Sequence, residues 1–591
     1  MPRTHAFALA LCLSLSGTLA GSGALAETEV RSTAKAGNAA AEAPATLLGS
    51  YLAARHAHMT RDTGAAADHF RAAMALAPDD PVLRERAFTM LLSDGRVTEA
   101  VALAPAVVGE EPQHAFASLA LVADHVRSGR LAQAREVLDT AAPGAFNALV
   151  AGLLKAWIAV GEGDAEGAFA AVDALSGRPA FEFFRDYHRA LIASALGDAA
   201  AAEAAFSDAI ALNTALSGRA AVAFAAELQA MGQQAKALAL LRDLAERHVA
   251  DFIVSTARDV IEGGGTLPRA VPDAAAGAAE VMFSVGAALA QDRGAETAPV
   301  YLNLARFIRP GFPLAQVLLA EVLENNGRWE RAVALYEAVP ADSRLRWHAI
   351  LRKAYALDEL DRLDEAEALL RGLAESRPDR REPHLALANI LRARERFAES
   401  IVHYDAAIAM IDAPGPRDWS VYYSRGVALE RAGQWDRAEQ DFLAALDLNP
   451  DQPLVLNYLG YSWIDKGLHL EKAIGMVERA VEQRPDDGYI IDSLGWAEYR
   501  LGNYEAAVLH LERAISLAPH DPVINDHLGD AYWKVGRKLE ARFQWSHALD
   551  LEPEEGARVR IEDKIARGLD AVEKSETEGR RETETAASGS D

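Results

Sequence analysis

Apolar and small residues between residues 487 and 553 form two copies of one helical pattern. In the first copy, Leu494 and Leu511 are apolar at helical spacing, and Gly502 marks a turn between two helices. Six positions recur 34 residues later: Leu494, Gly495, Gly502, Ala507, Ala514 and Pro519 return as Leu528, Gly529, Gly536, Ala541, Ala548 and Pro553. The pattern therefore predicts tandem pairs of antiparallel helices.

Small residues at fixed places in the pattern allow the paired helices to pack closely. Gly495 and Ala507 lie where the helices are expected to cross, and a larger side chain there would force them apart. Pro519 cannot continue a helix and ends the unit. A helix–turn–helix unit of this period resembles the tetratricopeptide repeat (TPR). The resemblance implies an all-α fold, a TPR α-solenoid whose units form a right-handed superhelix.

Weaker copies of the pattern extend over most of the chain, and we count about fourteen units in two halves. The period fails where Gly and Pro predict turns, and after the last unit one amphipathic helix is predicted to cap the apolar face. The predicted order is a signal peptide (1–26), a flexible lead-in (27–46), a degenerate N-terminal array (47–250), a break (251–278), a C-terminal array (279–555), a capping helix (556–572) and a disordered acidic tail (573–591).

The amino terminus predicts a cleavable secretory signal. Arg3 is positive, residues 6–19 are apolar, and small residues precede a cleavage site between Ala26 and Glu27. We therefore expect a periplasmic protein, free or peripherally associated with the outer membrane. Cys12 is the single cysteine and lies inside the apolar run, so lipid attachment is not expected. No later run reaches the roughly 20 apolar residues of a membrane span.

Charge and motifs argue against several classes of function. The chain carries 86 acidic and 60 basic residues, and this balance argues against a nucleic-acid partner. The glycines at 263–265 have no strand before them and no phosphate-binding lysine, so they are interpreted as part of a linker. No metal-binding or catalytic motif is present, and neither break nor tail approaches the roughly 150 residues of a catalytic domain. We predict a protein that is not an enzyme and has no cofactor or metal.

The TPR resemblance also indicates a candidate binding surface. In such arrays the first helix of each unit lines a concave groove. In the last three units the corresponding residues are Asn457, Tyr461, Tyr489, Asp492, Trp496, Tyr499, Arg500, Asp526, Asp530, Trp533 and Lys534. Groove aromatics are typical anchors for a bound peptide. The alternative is that Trp496, Tyr499 and Trp533 pack between adjacent first helices.

The composition of this strip narrows the expected partner. Asp492 and Asp526 occupy positions at which the carboxylate clamp of chaperone-binding repeats requires Lys and Asn. A peptide ending in a free carboxylate should therefore be repelled. We expect other proteins or extended peptides, basic or neutral in charge, as partners, and the sequence leaves self-association open.

The block from Asn457 to Pro553 resembles a set of proteobacterial envelope TPR proteins. In that set, outer-membrane lipoproteins act as adaptors of carboxy-terminal-processing proteases that degrade peptidoglycan hydrolases. The resemblance implies a non-enzymatic scaffold that presents cell-wall hydrolases to such a protease. A scaffold for outer-membrane or exopolysaccharide assembly would share all these features, so both functions stay open.

Overall fold

The protein is built from helices joined by short turns. The computed structural model describes residues 46–141, 148–212, 214, 216–247, 252–291 and 296–588. Within those residues it contains 31 α-helices, one short 3-10 helix at Pro179–Phe181 and no β-strand. The predicted signal peptide and all but the last residue of the lead-in lie outside the described residues.

The helices form two compact units, one ending at Leu373 and one beginning at Ala374. The helices up to this boundary are α1 Leu47–Met59, α2 Thr63–Leu76, α3 Pro81–Asp94, α4 Val97–Glu110, α5 Ala115–Arg127, α6 Leu131–Thr140, α7 Ala148–Glu162, α8 Ala165–Asp173, α9 Glu182–Leu196, α10 Ala199–Ala211, α11 Ser217–Ala230, α12 Gln234–Arg247, α13 Phe252–Glu262, α14 Ala274–Gln291, α15 Ala298–Ile308, α16 Pro313–Asn325, α17 Trp329–Glu337, α18 Arg346–Glu359 and α19 Leu363–Ser376. The helices that follow are α20 Glu382–Ala393, α21 Phe397–Ala409, α22 Trp419–Arg431, α23 Trp435–Leu448, α24 Pro453–Lys466, α25 Leu470–Gln483, α26 Gly488–Leu501, α27 Tyr504–Leu517, α28 Pro522–Lys534, α29 Lys538–Asp550, α30 Glu555–Arg567 and α31 Leu569–Ser588.

Local sequence signals explain where these helices begin and end. Asp521 caps α28, because its carboxylate accepts hydrogen bonds from the first backbone N–H groups of the helix, and Pro522 occupies the first helical position. Gly502 ends α26 with a φ of 85°, a left-handed conformation that favours glycine. The predicted turn at Gly502 is therefore confirmed.

Small residues lie at the helix crossings, as the repeat pattern predicts. A Cβ atom added to Gly495 would lie 2.6 Å from Leu511, and one added to Gly529 would lie 2.4 Å from the indole nitrogen of Trp545. A larger side chain at either position would push the paired helices apart. The all-α arrangement of paired repeat helices is confirmed.

The first unit continues through the region predicted as a break between two halves. Residues 251–278 contain α13 and the start of α14, and α13 packs on α11 and α12. Helix α14 packs on α7, with Gly277 against the ring of Trp157. The boundary between the two units lies instead between Leu373 and Ala374, so it does not coincide with the predicted break.

Later helices of the first unit also contact its earliest ones. Helix α15 packs on α3 and α5, and the Asn303 side-chain amide donates to the carbonyl groups of Leu92 and Ser93, both at 3.1 Å. The Arg331 guanidinium lies 2.9 Å from the carboxylate of Asp94. These contacts join residues more than 200 positions apart in the sequence.

Helix α14 is apolar but carries a buried charge. In the part of the chain that the structure describes, it is the one helix long and apolar enough to cross a membrane, with a mean hydropathy of 1.3; 67% of that window is buried inside the protein. Glu280 on α14 is fully buried, accepts hydrogen bonds from Arg219 at 2.8 and 2.9 Å, and accepts one from Tyr187 at 2.7 Å. Here α14 packs as an inner helix of the first unit.

The carboxyl end of the chain differs from the prediction. Helix α30 corresponds to most of the predicted capping helix, but the chain then turns at Gly568 into a second helix, α31. Residues 573–588, predicted as a disordered tail, are helical in the structure. Helix α31 packs on α30 and contacts side chains of α26 and α28. The composition of the tail did not predict these contacts within the chain.

Candidate functional site

The predicted groove residues lie on three consecutive first helices, α24, α26 and α28. Their side chains differ in exposure. Tyr489 and Arg500 are exposed, and Asn457, Tyr461, Asp526 and Lys534 are half-buried. The buried members are Asp492, Trp496, Tyr499, Asp530 and Trp533. The structure therefore brings the strip together, but most of its aromatic area contacts protein.

An aromatic stack connects α26 to α28. The Trp496 ring lies 4.8 Å from the ring of Tyr499 and 4.0 Å from that of His527, and all three are nearly parallel. His527 Nδ1 is 3.0 Å from the carboxylate of Asp492. The Trp496 ring therefore lies against side chains of both α26 and α28.

His527 carries the main electrostatic perturbation in this stack. Burial alone would lower its pKa, but the charge of Asp492 and the hydrogen bond to it outweigh burial, with further contributions from Asp526 and Asp530, so the pKa is raised. Sequence reasoning missed His527 because it is not one of the groove positions. Its spacing of 35 residues from Asp492 was the available signal, since it places the two side chains on neighbouring first helices.

Two buried polar atoms of the strip, one on α24 and one on α26, have no partner among the described residues. The indole nitrogen of Trp496 and the side-chain oxygen of Asn457 make no hydrogen bond in the described residues. A buried polar atom left without any partner costs about 1–3 kcal/mol.

A second cluster holds a buried lysine between two carboxylates. The ammonium group of Lys564 on α30 lies 2.8 Å from Asp526 and 2.7 Å from Asp530, and the lysine side chain is fully buried. The indole of Trp545 donates to Asp530 at 2.9 Å. Burial and the nearby charge of Asp526 raise the pKa of Asp530 to about 6, although Lys564 acts in the opposite direction.

Helix α31 contacts the same strip through acidic side chains. Trp533 donates its indole hydrogen to Asp570 at 3.0 Å, and Tyr499 donates to Glu573 at 3.2 Å. Lys534 lies 2.5 Å from Glu573. The chain's own C-terminal helices therefore cover the groove positions of the last repeat.

The sequence predicted α30 as a cap on the last apolar face. It did not predict the contact of α30 with the groove positions Asp526 and Asp530. Lys564 lies 34 residues after Asp530, which is one repeat period, so the spacing places α30 beside α28 as a further first helix would lie. A second signal was available: Lys564 lies three residues after Ile561, on the buried face of an amphipathic helix. A lysine on such a face requires an acidic partner.

The chemistry of the strip suits protein binding. It combines aromatic rings with charged groups of both signs. Asp526 and Asp530 bind the ammonium group of Lys564, and Lys534 binds the carboxylate of Glu573. Within the described parts of the chain, no group of three His, Cys, Asp or Glu side chains could hold a metal ion.

Comparison with known proteins identifies the repeats. Family models described as tetratricopeptide repeat or TPR repeat match residues 317–343, 351–415, 385–453, 423–488 and 495–536, which is less than half of the chain. A TPR repeat-containing protein of Pseudomonas aeruginosa is 28% identical over 171 residues, covering 27% of this chain and 26% of that protein. Human tetratricopeptide repeat protein 13 is 28% identical over 187 residues, covering 31% and 21%. The chain thus spans about a quarter of the length of these relatives.

Two solved structures are similar to this chain at low sequence identity. PilW, described as a type IV pilus biogenesis factor, has 21% identity and a TM-score of 0.32, covering 36% of this chain and 96% of PilW. The APC/C tetramer Cut9–Hcn1 has 13% identity and a TM-score of 0.38, covering 92% and 99%. The matched residues and the paired helices together show that this chain contains tetratricopeptide repeats and folds as an α-solenoid.

Proposed function

We propose that this protein is a non-enzymatic scaffold of the bacterial envelope that presents substrates, such as cell-wall hydrolases, to a carboxy-terminal-processing protease. Tetratricopeptide repeats are protein-binding modules, so the matched repeats support a general role in protein binding. The secretory signal predicted before Glu27 supports the periplasm as its location. The resemblance of residues 457–553 to envelope adaptors supports the protease as a partner.

One observation carries the proposal. The part of the strip on α26 and α28 already holds helical protein, because α30 and α31 bind it through Lys564, Asp570 and Glu573. The strip thus has the apolar, acidic and basic groups that a protein ligand needs. Exposed Tyr489, 39% accessible at the start of α26, is its free aromatic anchor.

Reconstitution tests the proposal directly. Mature protein tagged after Asp591 is purified from the envelope fraction under crosslinking, and co-eluting proteins are identified by mass spectrometry. A captured protease and hydrolase are then purified and mixed with and without the scaffold. Faster cleavage of the hydrolase with the scaffold present supports the proposal.

Matched variants locate the binding surface. Tyr489→Ala should reduce the scaffold-dependent cleavage rate about tenfold, as expected for loss of an aromatic anchor. Leu539→Ala on α29 is the control, because Leu539 is 81% exposed and lies outside the strip. Capture of outer-membrane or polysaccharide-export components would favour the assembly scaffold instead, and capture of cytoplasmic proteins alone would show that the predicted signal is wrong.

A further inference from the structure

Helices α30 and α31 bind the strip with a defined pattern of side chains. Ile561 and Leu569 are buried and belong to the same apolar cluster as Trp533 and Trp545. Lys564 lies between them in sequence and enters the carboxylate pair. The pattern is apolar, lysine, apolar, and then acid at Asp570 and Glu573.

The carboxylate pair requires a cation. Asp526 and Asp530 both lie within 2.8 Å of the ammonium group of Lys564, and Asp530 is almost fully buried. Without a cation, the two carboxylates would face each other at low dielectric, which is strongly unfavourable. A protein segment that takes the place of α30 and supplies a lysine or arginine at this point therefore binds more favourably than one that leaves the pair without a cation.

The contact is also suited to opening. Burying the charged groups costs desolvation free energy. This free energy is regained when the helices separate and the groups return to water, whereas separating an apolar contact regains none. The acidic contacts of α31 lie nearer the surface, with Asp570 68% and Glu573 39% exposed, so salt screens them.

We propose that α30 and α31 are an internal pseudo-ligand, and that the strip they cover is the docking surface for a helical segment of a partner protein with the same apolar–lysine–apolar–acid pattern. The partner segment binds by displacing α30 and α31. This inference rests on the proposed scaffold function and specifies the chemistry of its ligand.

A labelled peptide of this chain's own residues 555–578 is the probe. Its binding to full-length mature protein is measured by fluorescence anisotropy. Lys564→Ala in the protein should release the internal helices and increase peptide affinity about tenfold. Lys574→Ala is the charge-matched control, because that lysine is 77% exposed on α31, and it should leave the affinity unchanged.

Peptide variants test the chemistry of recognition. On the Lys564→Ala protein, a peptide carrying Lys564→Ala should bind about tenfold more weakly than the unmodified peptide. Equal binding of the two peptides, or no gain from Lys564→Ala in the protein, would overturn the proposal. If that variant does not fold, Glu573→Ala serves instead, because it removes the contacts to Tyr499 and Lys534 without exposing the buried carboxylates.

Light scattering on the same samples distinguishes a partner from a second copy. A monomer at all peptide concentrations is expected, whereas dimers formed by exchanged C-terminal helices would overturn the partner assignment. None of these measurements uses an envelope partner. Failure to capture a protease would therefore refute the proposed function without affecting the peptide result. Failure of the peptide to bind would overturn the pseudo-ligand without affecting the capture result.

Discussion

Replacing Trp496 by Ala tests whether the aromatic strip holds adjacent repeats together. The side chain is 9% exposed, and its ring stacks on Tyr499 at 4.8 Å and on His527 at 4.0 Å. Deletion of a buried aromatic side chain costs about 3–5 kcal/mol, of which each stacked pair accounts for about 0.5–1.5 kcal/mol. We therefore expect Trp496→Ala to lower the local free energy of unfolding of α26 and α28 by about 3–5 kcal/mol.

Hydrogen exchange followed by mass spectrometry measures this loss locally. A local measurement is needed because a repeat array of this length does not unfold as a single two-state domain. A loss of about 3–5 kcal/mol corresponds to exchange faster by roughly two to four orders of magnitude in the protected amides of α26 and α28. Phe543→Ala on α29 is the matched control, because its ring is 71% exposed and its removal should change stability by less than about 0.5 kcal/mol.

The opposite result would show that Trp496 serves to bind a partner. If Trp496→Ala leaves exchange in α26 and α28 unchanged but weakens binding of a partner, the stacking between first helices contributes little and the residue is a groove anchor. If exchange accelerates only in α30 and α31, the stack serves to hold the C-terminal helices. Either pattern would refute packing between α26 and α28 as the role of the ring.

Two further substitutions test buried charges. A histidine with a raised pKa stabilises the fold fully below its ordinary value of 6.5 and loses this contribution as the pH rises through its folded pKa. His527→Gln should therefore cost more stability at pH 6 than at pH 9 in thermal unfolding, and equal costs would exclude a charged pair with Asp492. Glu280→Gln leaves Arg219 without its buried counter-ion and should lower the local free energy of unfolding of α11 and α14 by about 3–5 kcal/mol in hydrogen exchange, whereas Glu262→Gln on α13, whose side chain is 37% exposed, should cost far less.

The repeat pattern predicted the helices because its causes are local. Helix period, a small residue at each crossing and a glycine in each turn act within about 34 residues, so Gly495, Gly502 and Gly529 could be interpreted without knowledge of the rest of the chain. The signal peptide, the location and the groove assignment stay predictions.

Contacts between distant elements were decided by tertiary structure. The pattern does not show that Glu280 meets Arg219 across 61 residues, that Asn303 reaches the carbonyl group of Leu92 across 211, or that α31 covers the last repeat. Likewise, the failure of the period at residues 251–278 suggested a boundary, but the helices there pack within the first unit.

The physical reason is that curvature accumulates along the chain. Each helix pair is rotated slightly relative to the one before it, and the sum over many pairs decides which helix faces return to one another. No single residue encodes that sum. The sequence by itself therefore determined the repeat and its local packing, while the folded array decided that Asn303 reaches Leu92 and that Arg331 reaches Asp94.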